Sequence, residues 1–483
     1  MTVNLRRPIL VGGLGLSFAL WILDSWKDSL FQFGELAVLA LAVVGGGLWL
    51  FKPNPNQAIA FLQKLPENRD TVEDAIASAQ VAVNQLVTEA PTHPALPELQ
   101  EQLTQLATDM NRSQLHVAVT GGKSVGKSSI IKLLQANPGI SSSYSLQFQE
   151  TPPLFSEASS TSDGEILAST DGADYVLFVI SGDLTETELQ AIQQLNLSNQ
   201  RSLLVFNKQD LYLSDERAQV LYSLKQRFAQ TVAVSAVPQP LKVRKHTEDG
   251  SIQEWWEQPA PDINQLTASL AQVVQTQAVN LIWATTIRQA YTIKTTAKNY
   301  LNQQRRDRAV PVIEQYQWIA ASAAFANPVP ALDILATAAI NAQMIVDLGH
   351  IYQQKFTLDQ GKAIAGEMGR MMLKLGLVEL STKAISIVLK TNAVTFAIGG
   401  ILQGVSAAYL TRVAGLALVE YFQAQEIAVA SGSNLNLDTL RQTLQTVFQQ
   451  NQQVVYLQSF VSQSVKRLLP DNPAAQISVE TPA

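Results

Sequence analysis

The chain has no cysteine and only four histidines in 483 residues. The first absence excludes disulfides, thiolate nucleophiles and cysteine-ligated zinc, and it suits a reducing compartment. His93, His116, His246 and His350 are dispersed without metal-ligand spacing, and His116 reads as a packed residue of a strand. Charge is also scarce: 15% of residues are charged, the formal net charge is −6, and no long basic stripe stands out. Nucleic acid is therefore not expected as a ligand. What fills the space is carbon: 47% of the chain is hydrophobic, apolar for a soluble protein, and the length allows two or three domains.

Part of that apolar content lies at the N-terminus. Residues 8–23 and 36–51 are nearly uncharged and are bracketed by Trp21, Trp26 and Trp49. They read as a transmembrane hairpin (residues 1–55), although each run covers only about 24 Å as helix and needs snorkelling flanks or a partly re-entrant path. Arg6, Arg7 and Lys52 flank the outer ends, so the positive-inside rule puts both ends and the rest of the chain on the cytoplasmic side. A cleaved signal peptide is the competing reading; no small-x-small site succeeds the first run, and a second apolar run does. Residues 56–110 have helical periodicity broken by APTHPALP and read as a two-segment stalk.

The most specific signal is LHVAVTGGKSVGKSSIIKLL, which sets G-x-x-x-x-G-K-S between an apolar strand and an amphipathic helix. In that context the backbone of Gly121, Gly122, Lys123, Ser124, Val125, Gly126, Lys127, Ser128 and Ser129 can wrap a phosphate at a helix N-terminus. Lys127 would neutralise the β/γ oxygens and the Ser128 hydroxyl would ligate Mg²⁺. Gly121 and Gly126 are expected at positive φ, which a side chain would oppose. A chance Gly-Ser turn is the bland alternative. Further on, RSLLVF delivers Asn207-Lys208-Gln209-Asp210, and TVAV delivers Ser235-Ala236. An Asp210 carboxylate can accept both N1–H and the 2-amino group of guanine, whereas adenine would leave it unpaired. Asn207 would brace the base and the loop, the Lys208 stem would cover the ring, and the Ala236 N–H would reach O6. GTP and GDP with Mg²⁺ are the expected ligands.

With these motifs the chain resembles the translation-factor-related P-loop GTPases, most closely the bacterial Era/TrmE-like G domains, over about residues 111–275. The resemblance implies an α/β P-loop fold, GTP hydrolysis and a D-x-x-G segment whose Asp holds Mg²⁺ through water and whose Gly N–H meets the γ-phosphate. Here the candidate is Glu150-Thr151-Pro152-Pro153, so that Lys127, Ser128, Glu150 and Thr151 form the catalytic set and Ser128 and Glu150 the metal set. Pro153 has no N–H to offer. Leu154 and Phe155 stand where a water-orienting Gln is expected, which implies slow turnover or a catalytic group from a partner. Ser141, Ser142 and Ser143 are interchangeable candidates for the switch threonine, or plain loop serines. The stretch SEASSTSDGEILASTDGA reads as a mobile loop, Thr185 and Glu188 as a capping box, and SIQEWWEQPAPD as a linker.

Beyond this, residues 276–310 read as a connecting helix with a basic face (Arg288, Lys294, Lys298, Arg305, Arg306, Arg308) for anionic headgroups, or as a solvated face. Residues 311–470 read as an all-helical domain and 471–483 as a disordered tail. About residues 315–430 resemble a YcjF-type domain of unknown function, through Asn327-Pro328-x-Pro330-x-x-Asp333 and Asn341-Ala342-Gln343-Met344-Ile345; the resemblance implies membrane association. Ala393 to Val419 is long enough to span a bilayer, but Gln403 and Arg412 favour a compact bundle, with Gly400-x-x-x-Gly404 as a close-packing face. Three readings remain open: a slow membrane-anchored GTPase switch, a non-hydrolysing guanine-nucleotide scaffold, and a membrane-remodelling or transport-coupled device. A lipid membrane, a second copy and an effector or activating protein are the expected partners.

Overall fold

The computed structural model describes residues 65–66, 68–137, 144–156, 161–246, 252–326, 330–390, 400–424, 436–452 and 454–468. The expected N-terminal hairpin, Ser141 to Ser143 and the tail lie outside the described residues.

Five strands form one parallel sheet: β1 (Gln114–Gly121), β2 (Ser145–Glu150), β3 (Tyr175–Ile180), β4 (Ser202–Phe206) and β5 (Thr231–Ala233), in the order β2-β1-β3-β4-β5. β3 and β4 are buried at every position, as a parallel sheet covered on both faces requires. The pleat sends alternate residues to opposite layers. Val117, Val119, Leu177 and Val205 join one core, and Ala118, Val176, Phe178 and Phe206 join the other. Between the strands run α3 (Lys127–Gln135), α4 (Asp163–Ala168), α5 (Glu186–Leu197) and α6 (Ser214–Arg227). The Thr185–Glu188 capping box is formed in both directions at the start of α5. This is the α/β nucleotide-binding type of architecture, followed by a helical region.

Two segments differ from the sequence expectation. The Ser- and Asp-rich stretch contains α4, held by a second capping box between Ser162 and Glu165. The expected linker is one arm of an antiparallel hairpin, β6 (Leu241–His246) with β7 (Ile252–Glu257). Cross-strand pairing of Arg244 and Lys242 with Glu254 suits that register.

A single helix, α7 (Asn264–Ala326, 63 residues), runs through the positions at which sequence composition suggests boundaries, with Pro311 inside it. At 1.5 Å per residue it is roughly 95 Å long. Its buried residues follow steps of four from Leu266 to Ala290, make one step of three to Ile293, and continue in fours to Ala321. Each step of four overshoots a turn by about 40°, so the stripe winds around the helix and meets a different partner at each level. Leu266 to Ile282 belong to the core on one face of the sheet. Ala290, Ile293, Ala297 and Leu301 pack with α1 (Arg69–Glu89) and α2 (Leu96–Asp109). Ala309, Ile313 and Ala321 enter the C-terminal core.

That core comprises α8 (Pro330–Ile351), α9 (Leu358–Lys374), α10 (Leu377–Lys390), α11 (Ile401–Ala424), α12 (Leu437–Asn451) and α13 (Val454–Leu468). Among the described residues α11 alone is long and apolar enough to cross a membrane, and 72% of its most apolar window is buried within the protein. Its approach to α7 depends on small residues. A Cβ on Gly400 would lie 2.8 Å from Phe325 O, and one on Gly404 3.0 Å from Ala321 O. Arg412 finds Gln317 and Glu314 on α7 instead of lipid.

The basic face expected on α7 is not continuous. Arg305 is 5% exposed and forks onto Glu89 of α1, with Arg308 on the same carboxylate. Arg288 donates to the carbonyls of Asp171, Ala173 and Asn199. A guanidinium buried against a helix needs such acceptors, so Arg288 and Arg305 are turned inward, whereas Arg308 is half exposed.

Candidate nucleotide site

Because all five strands run the same way, their C-terminal ends share one edge of the sheet. β1 ends at the 121–128 loop, β2 at Glu150, β4 at Asn207 and β5 just before Ser235. A crevice outside the carboxyl ends of parallel strands is where ligands bind in open α/β sheets.

Gly121 has φ 142° and Gly126 φ 99°. Space forbids a side chain at either one, since a Cβ would lie 2.2 Å from Val179 O and 2.2 Å from Asn207 Nδ2 respectively. Ser124, at φ 60°, supplies a third left-handed turn. Gly126 caps α3 without a side-chain bond, which leaves the helix's first N–H groups facing the loop. Lys127 is only 6% exposed and donates to Gly121 O and Gly122 O, both at 2.9 Å. Burial lowers the pKa of this ammonium, and the nearby Glu150 opposes the effect. The loop thus holds a partly desolvated cation against its own carbonyls.

Ser128 Oγ donates to Glu150 Oε1 at 2.9 Å. A hydroxyl and a carboxylate beside a phosphate loop fit Mg²⁺, which binds through one or two protein oxygens, substrate phosphates and water. No group of three His, Asp or Glu side chains that could hold a metal ion occurs among the described residues.

The next segment stays close to β1. Thr151 N–H donates to Val119 O and Leu154 N–H to Gly121 O, both at 3.1 Å. Pro152 and Pro153 have no N–H, so residues 151–154 present no free backbone donor. The Thr151 side chain is buried against Thr120 Oγ1 at 2.9 Å, away from Ser128 and Glu150. Leu154 is fully buried in the core beneath the sheet, and Phe155 takes φ 59° with its N–H on Asp163. Neither side chain is chemically able to orient water.

At the opposite end Asn207, 2% exposed, joins three loops. Its Nδ2 donates to Val125 O at 2.8 Å, and its Oδ1 accepts from Ala236 N at 3.1 Å. Lys208 is left-handed (φ 60°) and opens the short 3-10 turn Gln209–Leu211. Asp210 accepts from the Ser235 hydroxyl and, at 3.0 Å, from Gln239 N. The Ala236 N–H expected to meet O6 is on Asn207 in this structure. Gln239 was not legible in the sequence because its contribution is a backbone N–H, which any residue carries.

In comparisons with known proteins, residues 288–453 match a family described as "Domain of unknown function (DUF697)". None of the curated proteins matches. Among solved structures, the "LeoA bacterial dynamin GTPase from ETEC" aligns at 14% identity over 86% of this chain and 97% of its own, with a TM-score of 0.25. Another, titled "An oligomerised bacterial dynamin pair provides a mechanism for the long-range sensing and tethering of membranes", aligns at 12% identity over 85% and 81%, also at 0.25. At that score the superpositions are too loose to transfer fold or activity.

Proposed function

We propose that the protein is a membrane-anchored guanine-nucleotide-binding switch that hydrolyses GTP slowly. The observation that carries this reading is the Asn207 bridge, which ties the phosphate loop at Val125 to the base-side loop at Ala236 through one buried amide. A polar turn that merely happened to read N-K-x-D would have no reason to bury its Asn across two other strand ends. In this reading Lys127 and the loop N–H groups bind the phosphates, Asp210 selects guanine, and Ser128 with Glu150 holds Mg²⁺, which when bound neutralises phosphate charge. Slow turnover is supported by residues 151–154, whose remaining N–H groups are both on β1.

The helical half would sense the nucleotide through α7. Ser235 and Asp262 exchange two backbone hydrogen bonds of 2.8 and 2.9 Å, and Asp262 lies two residues before α7. Competition against a fluorescent GDP analogue in Mg²⁺ tests the reading: GTP and GDP should displace the analogue and ATP should not. Equal displacement by ATP would overturn it.

A further inference from the structure

A cavity of about 620 Å³ lies in the helical half, lined from α8, α9, α10 and α11. That volume is within the range of small-ligand sites. Its wall is mainly carbon and includes Met344, Met368 and Met372, whose unbranched thioethers adapt to a flexible chain. Gly366 and Gly369 of α9 also line it, and a Cβ added to either would meet nothing within 4 Å.

Beside Thr382 and Gln403, three residues of the wall carry buried oxygens without a partner. Ser406 is 8% exposed and Thr411 1%, and neither hydroxyl has a hydrogen-bond partner; nor does Asn341 Oδ1. Helical hydroxyls elsewhere in the chain return to a carbonyl one turn back, as those of Thr285, Thr286 and Ser464 do. Ser406 and Thr411 forgo that bond, so each carries an unmet desolvation cost that a ligand oxygen would relieve. The lining charge, Arg370, is paired with Glu367 and is 72% exposed, at the rim.

We propose that this cavity binds a single-chain acyl lipid, with the hydrocarbon against the methionines and glycines and the oxygen-bearing end among Asn341, Ser406 and Thr411. The ester carbonyl would accept from one of the two hydroxyls, and a free hydroxyl on the lipid would accept from the other and donate to Asn341 Oδ1. A chain with an ester and a hydroxyl satisfies all three atoms, which a plain hydrocarbon cannot do.

The test uses the full chain and a photoactivatable monoacylglycerol, with cross-linked peptides mapped by mass spectrometry. Cross-links are expected on α8, α9 and α11. Gly369→Phe should fill the cavity and cut cross-linking at least tenfold, with nucleotide binding unchanged. Should that variant misfold, the pair Ser406→Ala and Thr411→Val removes the hydroxyls at little change in volume; it should reduce cross-linking several-fold and raise the melting temperature of the lipid-free protein. Cross-links elsewhere, or undiminished in the folded variants, would overturn the proposal. So would efficient disulfide formation between cysteines placed at Trp21 or Trp49 and at Gly369, in a chain that otherwise has none, because the occupant would then be the protein's own N-terminal segment.

Discussion

Asn207→Ala is the sharpest perturbation of the nucleotide site, because its amide is bonded to two backbone groups of the protein itself. It strands two buried backbone groups, the Val125 carbonyl and the Ala236 N–H, now bonded to the amide at 2.8 and 3.1 Å. An unsatisfied buried polar group costs about 1–3 kcal/mol. Allowing for water entering the space vacated by the side chain, the two together should cost roughly 2–4 kcal/mol. If half of that appears as extra ordering on binding, affinity for GDP should fall by roughly five- to thirtyfold, since about 1.4 kcal/mol is a factor of ten. Asn207→Asp separates the two bonds: it keeps an acceptor for Ala236 but sets oxygen against oxygen at Val125. Hydrogen exchange should therefore accelerate across 121–128 in both variants, and at Ala236 only in Asn207→Ala. Fluorescent GDP titration supplies the affinities. Wild-type exchange at 121–128 together with wild-type affinity in both variants would refute the bridge as the element that assembles the site.

Asp210→Asn should exchange guanine preference for xanthine, whose position 2 carries oxygen, and competition with xanthosine diphosphate measures it. Pro153→Gly would supply a backbone donor that residues 151–154 lack; a tenfold gain in single-turnover hydrolysis needs only about 1.4 kcal/mol, and rapid turnover by the wild type without a partner would contradict the reasoning. Burial opposes ionisation of Glu89, but its hydrogen bonds to Arg305 and Arg308 hold its pKa below the ordinary 4.5. Its contribution is thus complete above that value and lost as pH falls through the lowered one. Glu89→Gln should destabilise by roughly 3 kcal/mol at neutral pH, because it leaves a buried guanidinium uncompensated, and the melting-temperature gap to wild type should close in acid. Deleting residues 1–52 should release a substantial fraction of the protein from membranes, read by fractionation, with residual attachment through the helical C-terminal half.

The site was legible where chemistry and geometry demand the same residue. Only glycine suits φ 142° at 121, where a Cβ would lie 2.2 Å from the Val179 carbonyl oxygen, so this turn of the 121–128 loop is legible in one dimension. The α5 capping box was legible for a similar reason, since Thr185 and Glu188 each satisfy the other's backbone. Two overlooked elements carried signals of the same kind. Ser162-x-x-Glu165 is a capping box inside a stretch whose composition suggests a loop, and Asp249-Gly250 sits between two alternating runs, a common hairpin signature. The fate of the basic residues was not legible. Lys and Arg on a helix read alike whether they face water or a carboxylate, and Arg305 is decided by Glu89, more than two hundred residues away.

The length of α7 has the same origin. A helix that serves one core shows one apolar face, but its stripe winds past three partners, so no single face stands out and the segment reads as separate pieces. The consequence for coupling is mechanical. Leu266 to Ile282 are part of the sheet's own core, and Ala309 to Ala321 are part of the helical core, with buried residues at every turn between them. No flexible linker separates the base-side loop from the cavity-bearing bundle. A shift of Ser235 must either break its paired backbone bonds to Asp262 or move the start of α7, and a helix packed along its length would carry such a displacement as a rigid body. Bending would instead expose the side chains that the stalk and Glu89 bury, which makes the rigid response the less costly one.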